Sequence, residues 1–207
     1  MRCITDFRER QQGGILMKTQ KMSTQSLVLC AIMTALVIIL QFMGAFIKLG
    51  TFSISLVLVP IVIGAAICGV GAGAWLGLVF GIVVLLSGDA AAFLAVNVPG
   101  TIITVLVKGI ACGFIAGLTY KLLEKYNTFV AVVAAACICP VINTGVFLIG
   151  CLIFFMDTVV MWAETMGLGA DVGRYMIVVL VGANFLFELL FNIILSPVIV
   201  RLLKVKR

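Results

Sequence analysis

The sequence predicts an all-α integral membrane protein, a bundle of six transmembrane helices with the N- and C-termini in the cytoplasm. Hydrophobic residues make up 64% of the 207, charged residues only 11%, and the mean hydropathy is +1.33. A soluble chain of this length would need more charge to cover its surface. The apolar residues also form long runs, and a helix needs about 20 of them to cross a bilayer core. Six such runs and short loops account for nearly the whole chain.

The breaks between the apolar runs place the six spans in order. The first run has no convincing small-residue cleavage site after it and is therefore interpreted as a span, not a signal peptide. Pro140 is expected to kink the fifth span, because proline removes a backbone hydrogen bond. The predicted spans are residues 27–47, residues 52–68, the run from Gly69-Val70-Gly71 to near Ser87, the run from residues 97–100 to Tyr120, residues 128–155 and residues 175–202.

The distribution of basic residues orients the bundle. Eleven of the fourteen Lys and Arg fall on one side in a six-span arrangement, and cytoplasmic segments of membrane proteins are rich in these residues. The outer loops instead carry four acidic residues. An even number of spans with both ends inside fits this asymmetry, whereas five or seven would place a basic tail outside. The eleven are Arg2, Arg8, Arg10, Lys18, Lys21, Lys121, Lys125, Arg201, Lys204, Lys206 and Arg207.

The chain divides into a basic N-terminal tail, residues 1–22, and a transmembrane domain, residues 23–207. Gly13-Gly14 can be encoded by GGAGG, a ribosome-binding sequence, and two further codons would separate it from Met17. We therefore expect translation to start at Met17, with residues 1–16 not translated. Peptides from residues 2–14 in the mass spectrum of the native protein would contradict this.

Small residues recur at four-residue spacing in three spans. The third span has Gly73, Gly77 and Gly81, the fourth has Gly109, Gly113 and Gly117, and the first has Ala31 and Ala35. Such spacing bares one face of a helix, so that a neighbouring helix can approach closely. Packing between helices of the bundle is the favoured interpretation, and a sliding surface is the alternative.

Polar residues inside the spans are the candidate binding site. Lys108 and Glu188 lie near the middle of the fourth and sixth spans, where a charge is costly and normally faces the bundle interior. They can form a structural ion pair, they can bind substrate, or Lys108 can extend toward polar surroundings. Asn97, Asn143 and Asn184 are further candidates, because buried amides in lipid must face each other, water or a ligand. Hydrogen bonding between helices alone is the alternative for each of them. These five residues are predicted to outline a pocket that opens outward.

The chain is not expected to be an enzyme, and no cofactor or metal is predicted. It contains no histidine and no Gly-x-x-x-x-Gly-Lys-[Ser/Thr] phosphate loop. A Ser-His or Cys-His catalytic pair, an HExxH zinc site and ATP hydrolysis by a phosphate loop are thereby excluded. The basic residues flank apolar runs, so their pattern does not indicate nucleic-acid binding.

Over residues 23–207 the sequence resembles a substrate-binding S component of an energy-coupling factor (ECF) vitamin transporter. The resemblance lies in the order and spacing of several segments, not in any one of them. These are the basic tail, Ala31-xxx-Ala35, Gly73-Ala-Trp-Leu-Gly-Leu-Val-Phe-Gly81, Lys108-Gly-Ile-Ala-Cys-Gly and Pro140-Val-Ile-Asn-Thr-Gly145.

The resemblance implies a function and partners. S components bind a vitamin or related micronutrient near the outer face of a prokaryotic plasma membrane, under loops that here are residues 47–51, 87–98 and 156–174. A transmembrane T subunit is expected to dock on Ala31 and Ala35, and two ATPase subunits supply the energy. Pantothenate, folate and riboflavin are possible cargoes, and Lys108 favours a carboxylate such as pantothenate. The alternatives are a stand-alone small carrier or channel, and an assembly subunit without a ligand.

Overall fold

The computed structural model describes residues 24–46, 48–49, 52–53, 56–167 and 171–206, and most of them lie in helices. The basic tail and the question of where translation starts lie outside the described residues. The elements in chain order are α1 (Thr24–Phe46), β1 (Lys48–Leu49), β2 (Phe52–Ser53), α2 (Leu58–Cys68), α3 (Val70–Leu86), α4 (Ala91–Leu94), α5 (Val98–Leu123), α6 (Thr128–Phe154), α7 (Met156–Thr165), α8 (Val172–Arg174), a π-helical segment (Tyr175–Val181) and α9 (Gly182–Lys206).

Three of the described helices are long and apolar enough to cross a membrane. They are α1, α5 and α6, with candidate spans of 21, 26 and 27 residues. A fourth candidate is the bent pair Val172–Val181 and Phe185–Arg201, whose halves meet at 42°. Helices α2 and α3 are apolar but have only 11 and 17 residues. The prediction of a helical membrane protein is confirmed, whereas the count of six spans and the side of each terminus stay predictions.

The second helix begins later than the sequence indicated. It was expected from residue 52, but β2 pairs with β1 in an antiparallel hairpin, and α2 starts at Leu58. Pro60 is therefore the third residue of α2 and does not interrupt it. The first four N–H groups of a helix have no partner within it, so a proline in the first turn costs no hydrogen bond. The apolar character of residues 52–57 concealed this strand and turn.

Helices α3 and α5 cross at their glycines. A Cβ added to Gly77 would collide with the backbone carbonyl of Gly109, and one added to Gly73 would collide with that of Gly113. The reverse additions, at Gly109 and Gly113, would meet the carbonyls of Gly77 and Gly73. The two backbones are thus in direct contact, which only glycine permits at these positions. Packing within the bundle is confirmed as the role of these glycines.

The last predicted span is bent, where one regular helix was expected over residues 175–202. Residues Tyr175–Val181 are π-helical, and α-helix resumes at Gly182. Such wider turns are rare and occur most often at functional sites. The helix α6 includes Pro140 and lies close to the predicted bounds, and the kink at this proline stays a prediction.

We expect Gly77→Ala to lower the melting temperature of the detergent-solubilised protein. The added methyl group must push α3 away from α5, and overpacking of this kind typically costs about 1–3 kcal/mol. Gly145→Ala is the matched control, because nothing lies within 4 Å of a Cβ at that helical position. Alanine there should leave the melting temperature unchanged or raise it slightly. Equal melting temperatures for Gly77→Ala and the wild type would contradict the direct backbone contact.

Candidate functional site

A partly open cavity lies inside the bundle and takes residues from α1, α3, α5, α6, the bent last span and the segment after α3. Its empty volume is about 860 Å³, open solvent at its mouth included. The lining is half aromatic and apolar, half polar. The polar residues are Gln41, Asp89, Thr101, Thr104, Lys108, Asn143, Thr144 and Glu188, and the aromatic ones are Phe80, Phe93, Phe147, Phe155 and Phe185.

Three of the five residues predicted for the site line this one cavity: Lys108, Asn143 and Glu188. Asn97 is not among the lining residues. Its side-chain oxygen accepts a hydrogen bond of 3.0 Å from the Gly100 N–H, so Asn97 caps the start of α5. The side chain of Asn184 lies outside the described part of the chain.

Lys108 places its ammonium group among aromatic rings. The Nζ atom is 5.8 Å from the centroid of the Phe80 ring and 5.4 Å from that of Phe147. The faces of aromatic rings attract cations at such distances. The carboxylates of Glu188 and Asp89 line the same cavity. Lys108 is thus placed beside aromatic rings at the wall of a cavity that also contains two acids.

Glu188 lies on α9, about two turns beyond the π-helical segment, and only 2% of it is exposed. One turn further along, Asn192 donates from Nδ2 to the backbone carbonyl of Glu188 at 2.8 Å. Ser196 in turn donates to the carbonyl of Asn192, also at 2.8 Å. The amide of Asn192 is therefore directed along its own helix, whereas Glu188 reaches the cavity.

Four polar residues of the cavity were missed from the sequence: Thr101, Thr104, Gln41 and Asp89. Gln41 on α1 is 2% exposed and donates a hydrogen bond from Nε2 to Oδ2 of Asp89. Asp89 follows the end of α3 and was assigned only to an outer loop. The sequence did contain a signal for Gln41. It is the one amide in the C-terminal half of α1, which is otherwise apolar and ends at Phe46. The distant partner of Gln41 could not be read from the sequence.

Two buried polar atoms in the lining have no hydrogen-bond partner among the described residues. They are Oγ1 of Thr104 and Oδ1 of Asn143, and their residues are 5% and 6% exposed. Buried polar atoms are nearly always paired with protein or water, so exceptions need an explanation. Here both atoms belong to residues that line the cavity. They are acceptors that a molecule bound in the cavity can use.

Aromatic side chains pack over one end of the cavity. Phe93 of α4 makes edge-to-face contacts with Phe147, Phe155 and Trp162, with ring centroids 5.1 to 5.5 Å apart. Trp162 belongs to α7, which also buries Val159 and Ala163. The segments 87–98 and 156–174, which the resemblance assigned to capping loops, thus meet through Phe93 and Trp162.

Ala31 and Ala35 lie away from the cavity, on an exposed side of α1. Among the described side chains of α1, only Val37 and Gln41 are buried. The exposed side is mainly apolar and continues through Leu27, Ile32 and Ile39. Packing inside the bundle therefore does not explain this pair of small residues, in contrast to the glycines of α3 and α5.

Comparison with protein families matches residues 25–200 to the family described as ECF transporter, substrate-specific component. The match covers most of the chain, so the protein belongs to this family of membrane transport components. The resemblance found in the sequence is confirmed. Comparison with curated proteins and with solved structures gives no match.

We expect Thr104→Val to raise the melting temperature of the ligand-free protein. Valine has the shape of threonine without the hydroxyl group, and a buried hydroxyl without a partner costs about 1–3 kcal/mol. Thr119→Val on the same helix is the control, because the Thr119 hydroxyl donates to the Ile115 carbonyl at 2.8 Å. That variant loses a bond and should gain no stability. A lower melting temperature for Thr104→Val than for Thr119→Val would show that the Thr104 hydroxyl is satisfied.

Proposed function

We propose that this protein captures a vitamin or related micronutrient in its central cavity for ATP-driven uptake by an ECF transporter. The observation that carries the proposal is the cavity, which has a mixed polar and aromatic lining inside an apolar bundle. Two buried acceptor atoms in this lining have no hydrogen-bond partner among the described residues. A polar chamber among membrane helices is costly unless it serves a solute. Family membership supports transport as the process that this chamber serves.

The proposal includes six spans with both termini on the cytoplasmic side of a prokaryotic plasma membrane. Helices α2 and α3 then form the second and third spans, shortened by the hairpin before α2 and by Gly69 between them. The bent pair at the end of the chain forms the sixth. In this orientation the aromatic cover of Phe93 and Trp162 faces outward, where cargo is captured.

The energy is proposed to come from other chains. The sequence has no phosphate loop of its own. A transmembrane T subunit and two ATPase subunits are the expected partners, and the exposed side of α1 with Ala31 and Ala35 is the proposed docking surface for the T subunit. Small side chains there allow a partner helix to approach closely, although the alanine Cβ atoms keep it further away than α5 is from α3.

Reconstitution tests the proposed function directly. Proteoliposomes that contain this protein with its T and ATPase subunits should accumulate one radiolabelled vitamin from a panel, and only when ATP is supplied to the ATPases. Liposomes with this protein alone should bind that vitamin and not accumulate it. Accumulation by the single chain would instead establish a stand-alone carrier or channel.

The double variant Ala31→Trp, Ala35→Trp tests the docking surface. We expect ATP-dependent uptake to be lost, because two indole rings hold the T subunit away from α1. Cargo affinity should stay within about threefold of the wild type, since neither residue lines the cavity. Ile39→Trp, on the same exposed side, is the control for added bulk on a large residue. Normal uptake by the double variant would exclude this surface.

A further inference from the structure

The charges that line the cavity do not balance. Lys108 contributes one positive charge, and Asp89 and Glu188 contribute two negative charges when ionised. Lys108 can compensate only one of the two carboxylates, so the lining keeps one negative charge when all three groups are ionised. Glu188 is 2% exposed whereas Asp89 is half-buried, so Asp89 is the carboxylate more accessible to a ligand. In a weakly polar surrounding an uncompensated carboxylate is costly, so a positively charged group next to it is strongly favoured.

Asp89 is held in a defined position for such a group. The neutral amide of Gln41 donates to its Oδ2 atom, which orients the carboxylate and adds no charge. A carboxylate has two oxygens and about four acceptor positions, so one bond from Gln41 leaves acceptor capacity. Asp89 is half-buried at the segment between α3 and α4, next to Ala90 and close in sequence to Phe93, both of the cavity lining.

The rest of the lining fits the same kind of ligand. Five phenylalanine side chains line the cavity, and aromatic rings attract both flat ring systems and cations. The unpartnered Oδ1 of Asn143 can only accept hydrogen bonds, and the Oγ1 of Thr104 can accept them. Both atoms therefore suit the N–H groups of a ligand.

We propose that the cavity selects a cargo with a planar nitrogen heterocycle and a protonated amine, and that Asp89 is the residue that determines this specificity by binding the amine. The proposal rests on the proposed function and narrows its substrate class. It departs from the carboxylate cargo that Lys108 alone favoured, because two carboxylates, Asp89 and Glu188, line the cavity with this one lysine.

Two series of ligands that differ only in one substituent test the proposal. The first is pyridoxamine, pyridoxine and 4-pyridoxate, and the second is 7-deazaguanine with an aminomethyl, a cyano or a carboxyl group at carbon 7. Dissociation constants are measured by calorimetry with the purified full-length protein in nanodiscs. In at least one series the amine should bind at least tenfold more tightly than the neutral member, and the carboxylate should bind most weakly.

Asp89→Asn should abolish the preference for the amine, so that the amine and the neutral member of a series bind this variant within about threefold of one another. Asparagine retains an oxygen that accepts from Gln41, so the local structure is kept. Asp157→Asn is the control, because Asp157 is an exposed acid of α7 outside the cavity lining and its loss should change nothing. If Asp89→Asn does not fold, the order of the dissociation constants within each series, measured on the wild-type protein, tests the proposal.

Three results would overturn the inference: tightest binding of a carboxylate, an amine preference that survives in folded Asp89→Asn, or no binding of any member of either series. None of these would by itself remove the proposed function, which is judged by ATP-dependent uptake with the T and ATPase subunits. A complex that imports a carboxylated vitamin would keep the function and exclude this cargo class.

Discussion

The direct contact between the backbones of α3 and α5 is the interaction on which the rest of the bundle depends. It places side chains that adjoin the contact glycines at the wall of the cavity. Phe80 precedes Gly81 on α3, Lys108 precedes Gly109 on α5, and the two side chains lie 5.8 Å apart from Nζ to ring centroid. In a membrane no hydrophobic effect drives helices together, so close van der Waals contact has to do so. The packing that stabilises the bundle therefore also positions its central charge.

The sequence allowed the class of fold and most helix bounds to be predicted, because apolar runs and glycine spacing are local signals. It failed where the decisive contact is between distant residues. The strand at Phe52–Ser53 depends on pairing with Lys48–Leu49, and the role of Gln41 depends on a partner 48 residues away. The periodicity of apolar residues contains no information about contacts between residues that are distant in the sequence.

The residues of the candidate site were likewise predicted only in part. Lys108, Asn143 and Glu188 were found because charge and amide groups within apolar runs are conspicuous. Asn97 was chosen on the same ground, yet the structure gives it a local role at the start of α5. Asp89 was overlooked because an acid between two apolar runs resembles any loop residue. The wall of aromatic rings could not be separated from ordinary membrane-facing phenylalanines, since both are apolar.

The hydrogen bond from Gln41 to Asp89 gives α1 two sides with different surroundings. One side reaches the cavity through a single buried amide, while the opposite side is exposed and carries Ala31 and Ala35. A solute that alters the hydrogen bond between Gln41 and Asp89 therefore acts on the same helix that a partner in the membrane would contact. Thermodynamic linkage makes such an influence mutual: by whatever factor the solute changes the affinity for the partner, the partner changes the affinity for the solute. Binding of the solute in the cavity and binding of a partner to α1 are then coupled to each other.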